Sequence, residues 1–112
     1  MNEATIDTVF KSMYTLLTDL SEMDGFMGYF ELEMMNRDTP MLLLMKREFE
    51  THFGWDEDTS TDMAFTMHRD LLMHTNAYTI SRVKTSKTEL YNFIYNRMLE
   101  QRRGLLSTIK NA

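Results

Sequence analysis

The chain has 112 residues, 43% of them hydrophobic and 26% charged, a balance that builds one modest core and argues against both intrinsic disorder and a division into two domains. It contains no cysteine, which removes disulfides, thiolate metal sites and cysteine nucleophiles from consideration. The formal net charge of −5 conceals a polarity: residues 1–63 carry four basic and fourteen acidic side chains, net −10, and residues 64–112 carry eight basic and three acidic, net +5.

The acidic start, MNEATIDTVF, and a longest apolar run of only Met41 to Met45 predict a cytoplasmic protein that does not enter a membrane. Ile6, Val9, Phe10, Met13, Leu16, Leu17 and Leu20 recur at helical spacing, with Asp7, Lys11, Thr15 and Asp19 on the other side, and predict an amphipathic first helix. Asp24 and Gly25 interrupt it. Over Phe26 to Asn36 the helical spacing of Phe26, Phe30 and Met34 competes with a two-residue alternation around Glu31 and Glu33, and a helix is the preferred reading.

Thr39-Pro40 is a helix start, because the Thr hydroxyl caps and Pro loses no useful N–H at the first position. The predicted helix runs from Pro40 to Phe53, ends at Gly54, and passes through the centre of the core, since Met41 to Met45 is apolar on every side. Trp55 to Thr61 reads as a polar, acidic loop, and Asp62 as part of the first turn of the next helix, whose inward face is Met63, Met67, Leu71 and His74. Near 77–84, alternation of Tyr78, Ile80 and Arg82 with Thr79, Ser81 and Val83 leaves a short strand, an irregular segment and a short helix in competition. Ser86-Lys-Thr-Glu89 is a capping box that opens a last helix to about Arg103, with Leu90, Phe93, Ile94 and Met98 inward and Gly104 as its end or bend. The expected fold is an all-α, compact bundle of four to five helices forming a single domain over residues 1–112.

Four patterns touch on chemistry. His68-Arg69-Asp70-Leu71 resembles the opening of the protein-kinase catalytic loop, HRDLxxxN, but Thr75 stands where the Asn is due and Asn76 comes one place late, in a chain too short for the remaining kinase parts. Asp56, Asp58, Ser60 and Asp62 occupy alternate places of an EF-hand-like loop, whereas Thr61 replaces its glycine and Met67 its bidentate glutamate, so the reading is a capping acidic loop. With Glu31, Glu33, Glu48 and Glu50 the same loop offers a weaker reading as an imitation of DNA phosphates. His52, His68 and His74 show no metal-ligand spacing, and with no nucleophile motif or phosphate loop the sequence carries no assembled catalytic site, metal or cofactor.

Twelve methionines, seven Phe, five Tyr and one Trp are more soft apolar volume than so small a globule easily hides. This excess predicts a non-enzymatic protein-binding regulator, adaptor or inhibitor, whose partner is another protein and which also has the means to form a homodimer. The candidate contact residues are Met34, Met35, Trp55, Asp56, Glu57 and Asp58. Small, acidic, cysteine-free and Met-rich is also the style of accessory factors that phages and mobile elements direct at host protein machinery. The alternative is a transcriptional regulator: Tyr78 to Leu106 is similar in outline to a helix-turn-helix DNA reader, with Arg82, Lys84, Lys87, Asn92, Asn96, Arg97, Arg102 and Arg103 as its candidate DNA contacts.

Overall fold

The computed structural model describes residues 2–22, 39–80 and 85–110, with side chains to residue 108. The expected helix over 26–36 and the candidates Met34, Met35, Arg82 and Lys84 lie outside the described residues.

Among the described residues, four helices carry the fold: α1 (Glu3–Ser21), α2 (Pro40–Glu48), α3 (Glu57–Ile80) and α4 (Lys87–Lys110), with a π-helical turn, Phe49–Phe53, extending α2. Each start follows from a side chain able to satisfy an orphan backbone N–H. The Asn2 side chain accepts from the Thr5 amide at 2.9 Å, Thr39 from the Leu42 amide at 3.2 Å, and Ser86 from the Glu89 amide at 3.1 Å. Pro40 holds the first position of α2, and Gly54 closes the π turn with φ 68°, in the left-handed region where glycine carries no steric penalty.

Cross-helix pairs fix the topology. Along α1 and α4, Thr18 meets Tyr91, Tyr14 meets Tyr95 and Asp7 meets Arg102, so one residue number falls as the other rises and the helices are antiparallel. Tyr78 with Glu89 and Asp70 with Arg97 make α3 antiparallel to α4, and Thr39 with His68 and Lys46 with Glu57 make α2 antiparallel to α3. Helix α1 packs on α2 and α4, and α3 packs on the same two, leaving α1 and α3 on a diagonal. The described helices thus form an up-down-up-down bundle. Its core takes Ile6, Val9, Phe10, Met13, Leu17 and Leu20 from α1, Met41, Leu42, Met45 and Phe49 from the second element, Ala64, Met67 and Leu71 from α3, and Leu90, Ile94 and Met98 from α4.

Three local expectations are corrected and one left open, at 77–80, is decided. Helix α3 begins at Glu57, not near Asp62, because Asp56 is its cap: the carboxylate accepts from the Thr59 amide at 2.7 Å while its carbonyl accepts from Ser60, and Glu57 and Asp58 then suit the positive end of the dipole. Asp58, Ser60 and Asp62 are therefore helical residues and form no EF-hand loop. Residues 77–80 continue α3 as helix, since Tyr78 stacks on Phe93 of α4 at 4.2 Å and packing overrides the strand preference of Tyr78, Thr79 and Ile80. Gly104 neither ends nor bends α4 out of contact, because Leu105 and Leu106 still pack against the core and hold the last turns. His74 points outward, 3.2 Å from Asp70, and Thr75 takes the inward place. Among the described residues no helix is long and apolar enough to cross a membrane.

Candidate functional site

Successive residues of an α-helix turn by about 100°, which sorts the 24 residues of α3 into faces. Ser60, Ala64, Met67, His68, Leu71 and Thr75 point into the bundle. Opposite them, within a roughly 100° arc, lie Phe65, Arg69, Met73, Asn76 and Ile80, all exposed. Phe65 is 42% exposed, Met73 58% and Ile80 83%, and the row from Phe65 to Ile80 is about 22 Å long at 1.5 Å per residue. Leu72 flanks the row half-buried. Thus α3 carries large apolar side chains on its outward side as well as on the side that the bundle covers, the outward ones interspersed with Arg69 and Asn76.

The other long helices present a different surface. Outward positions of α1 are Glu3, Asp7, Thr8, Lys11, Thr15 and Asp19, and those of α4 include Lys87, Glu89, Asn92, Asn96, Glu100 and Arg103. Outside α3, the large exposed apolar side chain among the described residues is Leu43 of α2, at 51%. The sequence reading missed Phe65, Met73 and Ile80. Their signal was present in the spacing of 65, 69, 73, 76 and 80, but it was masked by the doubt over 77–84, which hid that Ile80 shares a helix with Phe65.

Beside this face, between α3 and α4, runs an open groove of about 300 Å³ lined by Met63, Met67, Gly104, Leu105 and a polar floor. Asp70 organises that floor: it accepts from Arg97 Nε at 2.9 Å and Nη2 at 2.8 Å, a bidentate pair, and from Gln101 at 3.0 Å. The Arg97 guanidinium, chiefly by its hydrogen bond, holds the Asp70 carboxyl below the ordinary carboxylate value, and Gln101 and His74 add to the effect. The floor is internally neutralised and makes the groove a weak place for a charged ligand.

The candidates read from sequence do not converge. Trp55 is half-buried, its ring 5.4 Å from that of Phe49 and 5.0 Å from that of Phe53. Asp56 serves as a cap, Glu57 accepts from Lys46 at 3.1 Å, and Asp58 is exposed in the first turn of α3. On α4, Arg97 is engaged by Asp70, Arg102 by Asp7 at 2.6 Å and Glu3 at 3.7 Å, and Arg103 by Glu100. Lys87, Asn92 and Asn96 are exposed. The Arg102 pairs join the acidic and basic halves of the chain, so part of the charge polarity is used within the fold.

His68, Arg69 and Asp70 diverge as consecutive helical residues must: His68 enters the core, Arg69 faces outward and Asp70 turns to α4. His52 lies 3.0 Å from Glu48, and among the described residues no group of three His, Asp or Glu side chains could hold a metal ion.

Burial pushes the His68 imidazole below its ordinary 6.5, and its contact is Thr39 at 3.5 Å, the outer limit of a hydrogen bond. The native state therefore keeps His68 neutral while the unfolded chain takes up a proton near 6.5. Stability is complete above that pH and falls as the pH drops from 6.5 to the depressed native value, below which this residue adds no further loss. The urea midpoint should accordingly be lower at pH 5.5 than at pH 7.5, and the His68→Met variant should show a smaller drop over the same interval; equal drops would refute the assignment.

Comparison of the chain with protein-family models, with curated proteins and with solved structures finds no match.

Proposed function

We propose that this protein is a non-catalytic protein-binding factor, a regulator, adaptor or inhibitor, and that it makes its contact through the outward face of α3. The observation that carries this reading is the row Phe65, Met73 and Ile80, three large apolar side chains exposed along one side of a single helix, where the other such side chain among the described residues is the isolated Leu43. Keeping such a row in water costs solubility and contributes nothing to the core, and exposed apolar rows rimmed by polar groups are the usual mark of a protein contact. Met73 adds an adaptable, polarizable contact. The divergence of His68, Arg69 and Asp70 and the neutralised groove floor give catalysis no comparable support, and the ion-paired Arg97, Arg102 and Arg103 weaken the case for a DNA-reading α4.

The test is photo-crosslinking from a reactive residue placed at Arg69, in cells of the source. Protein adducts are expected, and the triple variant Phe65→Ser/Met73→Ser/Ile80→Ser, with helicity unchanged, should lower their yield at least about tenfold, equivalent to about 1.4 kcal/mol of contact energy. No adduct at Arg69, or retardation of duplex DNA with a steep salt dependence by the triple variant as well as the parent, would overturn the reading in favour of nucleic-acid binding or another surface.

A further inference from the structure

We infer that Met73 is a site of reversible oxidation, taking oxygen from a peroxide-class donor, and that its sulfoxide switches off the contact made by the outer face of α3. The switch rests on the reading of that face as a protein contact and adds how the contact is regulated, whereas the site itself stands on exposure and on its neighbours.

Five of the described methionines, Met13, Met41, Met45, Met67 and Met98, are buried in the bundle, Met63 is half-buried, and Met73 is 58% exposed. A thioether reacts through a sulfur lone pair that the oxidant must reach, so exposure ranks these side chains. The Met73 sulfur attacks one oxygen of hydrogen peroxide, the O–O bond breaks, and the other oxygen leaves as water with both protons. Sulfur gives up two electrons and the peroxide takes them, so no further reactant enters. The neighbours suit the product. Arg69 and Asn76, four residues before Met73 and three after it, share its face and are exposed, with Cβ atoms about 5–6 Å from its own. Arg69 has no carboxylate partner among the described residues. Its guanidinium and the Asn76 amide are donors for which a sulfoxide oxygen is a far better acceptor than a thioether.

The fold tolerates this change and the contact does not. Met73 lies outside the buried cluster of the core, so an added S–O dipole there enters water and leaves the packing of α3 on α2 and α4 as it was. At the core methionines the same oxygen would set an unpaired dipole among apolar side chains and unfold the chain. On the outer face Met73 stands between Phe65 and Ile80, and a polar centre divides the row that the contact needs into two isolated ends. Exposure also lets a sulfoxide reductase reach the product, which makes the change reversible.

Dilute hydrogen peroxide applied to the full native chain, followed by peptide mass mapping, tests the site. Among the described methionines Met73 should gain its oxygen at least about tenfold faster than Met13, Met41, Met45, Met67 or Met98, and the gap should close in urea. The chain oxidised at Met73 should keep the helicity and urea midpoint of the parent. The switch is read by carrying the Arg69 photo-crosslinking probe on the purified chain into an extract of the source cells. Peroxide treatment should lower the adduct yield at least about threefold, and a sulfoxide reductase should restore it. Met73→Leu, whatever its own yield, should give the same yield before and after peroxide, which assigns the loss to this sulfur. Oxidation of Met73 no faster than of the core methionines, a fall in the urea midpoint that Met73→Leu does not share, or a yield that peroxide lowers equally in Met73→Leu overturns the inference. If the untreated chain gives adducts that oxidation leaves unchanged, the contact reading stands and the switch is rejected; if the untreated chain gives none, the contact reading falls and takes the switch with it.

Discussion

Phe49→Ala should lower the free energy of unfolding by about 3–5 kcal/mol, the range for removing a fully buried aromatic side chain. Phe49 is 0% exposed, stands where α2 passes into the π-helical turn, and that turn packs against both α1 and α3. Its ring stacks on Phe53 at 5.4 Å with an interplanar angle of 15° and meets Trp55 at 5.4 Å, so truncation opens a cavity and removes the platform for two neighbouring rings. Against a total of about 5–15 kcal/mol for a domain, the loss is a large fraction of what holds the molecule together. The midpoint in urea should fall while the slope changes little. Trp55 is the single tryptophan, so its emission should shift to the red in the native state as the ring loses its cover. Leu43→Ala, on the outside of the same element, should change stability by less than about 0.5 kcal/mol. A loss below about 1 kcal/mol for Phe49→Ala, or a larger one for Leu43→Ala, would show that the core does not pass through this turn.

The parts of this fold that are legible in the sequence are those written in short spacings. The apolar series from Ile6 to Leu20 repeats one statement over about four turns, and Thr39-Pro40, Gly54 and Ser86 mark boundaries by backbone chemistry that involves neighbours within four residues. The misplaced start of α3 has a physical cause of its own kind: Asp56 and Asp62 are both chemically fit to sit near a helix start, and only the geometry of the turn after Gly54 selects Asp56. Ile80 was obscured because Tyr78, Thr79 and Ile80 favour strands locally, and the stacking of Tyr78 on Phe93 that decides the matter joins residues on different helices. The candidate site was hard to see for a related reason. A helix with apolar residues on two sides has no single periodic stripe, so the outer row of α3 blurs the inner one, and the interaction excess read from Met and aromatic content attaches instead to Met34, Met35, Trp55 and the acidic neighbours of Trp55. Of the described methionines, Met13, Met41, Met45, Met67 and Met98 lie in the core, so much of that excess is packing, and Met73 is the one fully placed outside.

Asp70→Ala should cost about 1–3 kcal/mol at neutral pH, a range that allows for partial exposure of the groups involved. The carboxylate is where α3 and α4 are tied by polar contacts, through two bonds from Arg97 and one from Gln101, whose amide also donates to the Met67 carbonyl at 2.9 Å. Removing it leaves the half-buried guanidinium without its counter-charge, and that orphaned group, more than the lost attraction, sets the cost. Arg97→Ala in the Asp70→Ala background should therefore recover part of the loss, giving a coupling energy of about 1 kcal/mol or more in a double-mutant cycle. The pH dependence distinguishes this from a packing effect. Because the native Asp70 carboxyl lies below its ordinary 3.8, the ion pair's contribution is present above that pH and is lost as the pH falls from 3.8 through the lowered native value. The gap in stability between parent and Asp70→Ala should thus narrow below pH 3.8, whereas the gap caused by Phe49→Ala should not follow the titration of this carboxyl. Additive single and double losses, or a gap that persists unchanged in acid, would mean that Asp70 contributes only as a space-filling member of the α3–α4 seam and that the groove beside it owes its shape to the leucines and methionines alone.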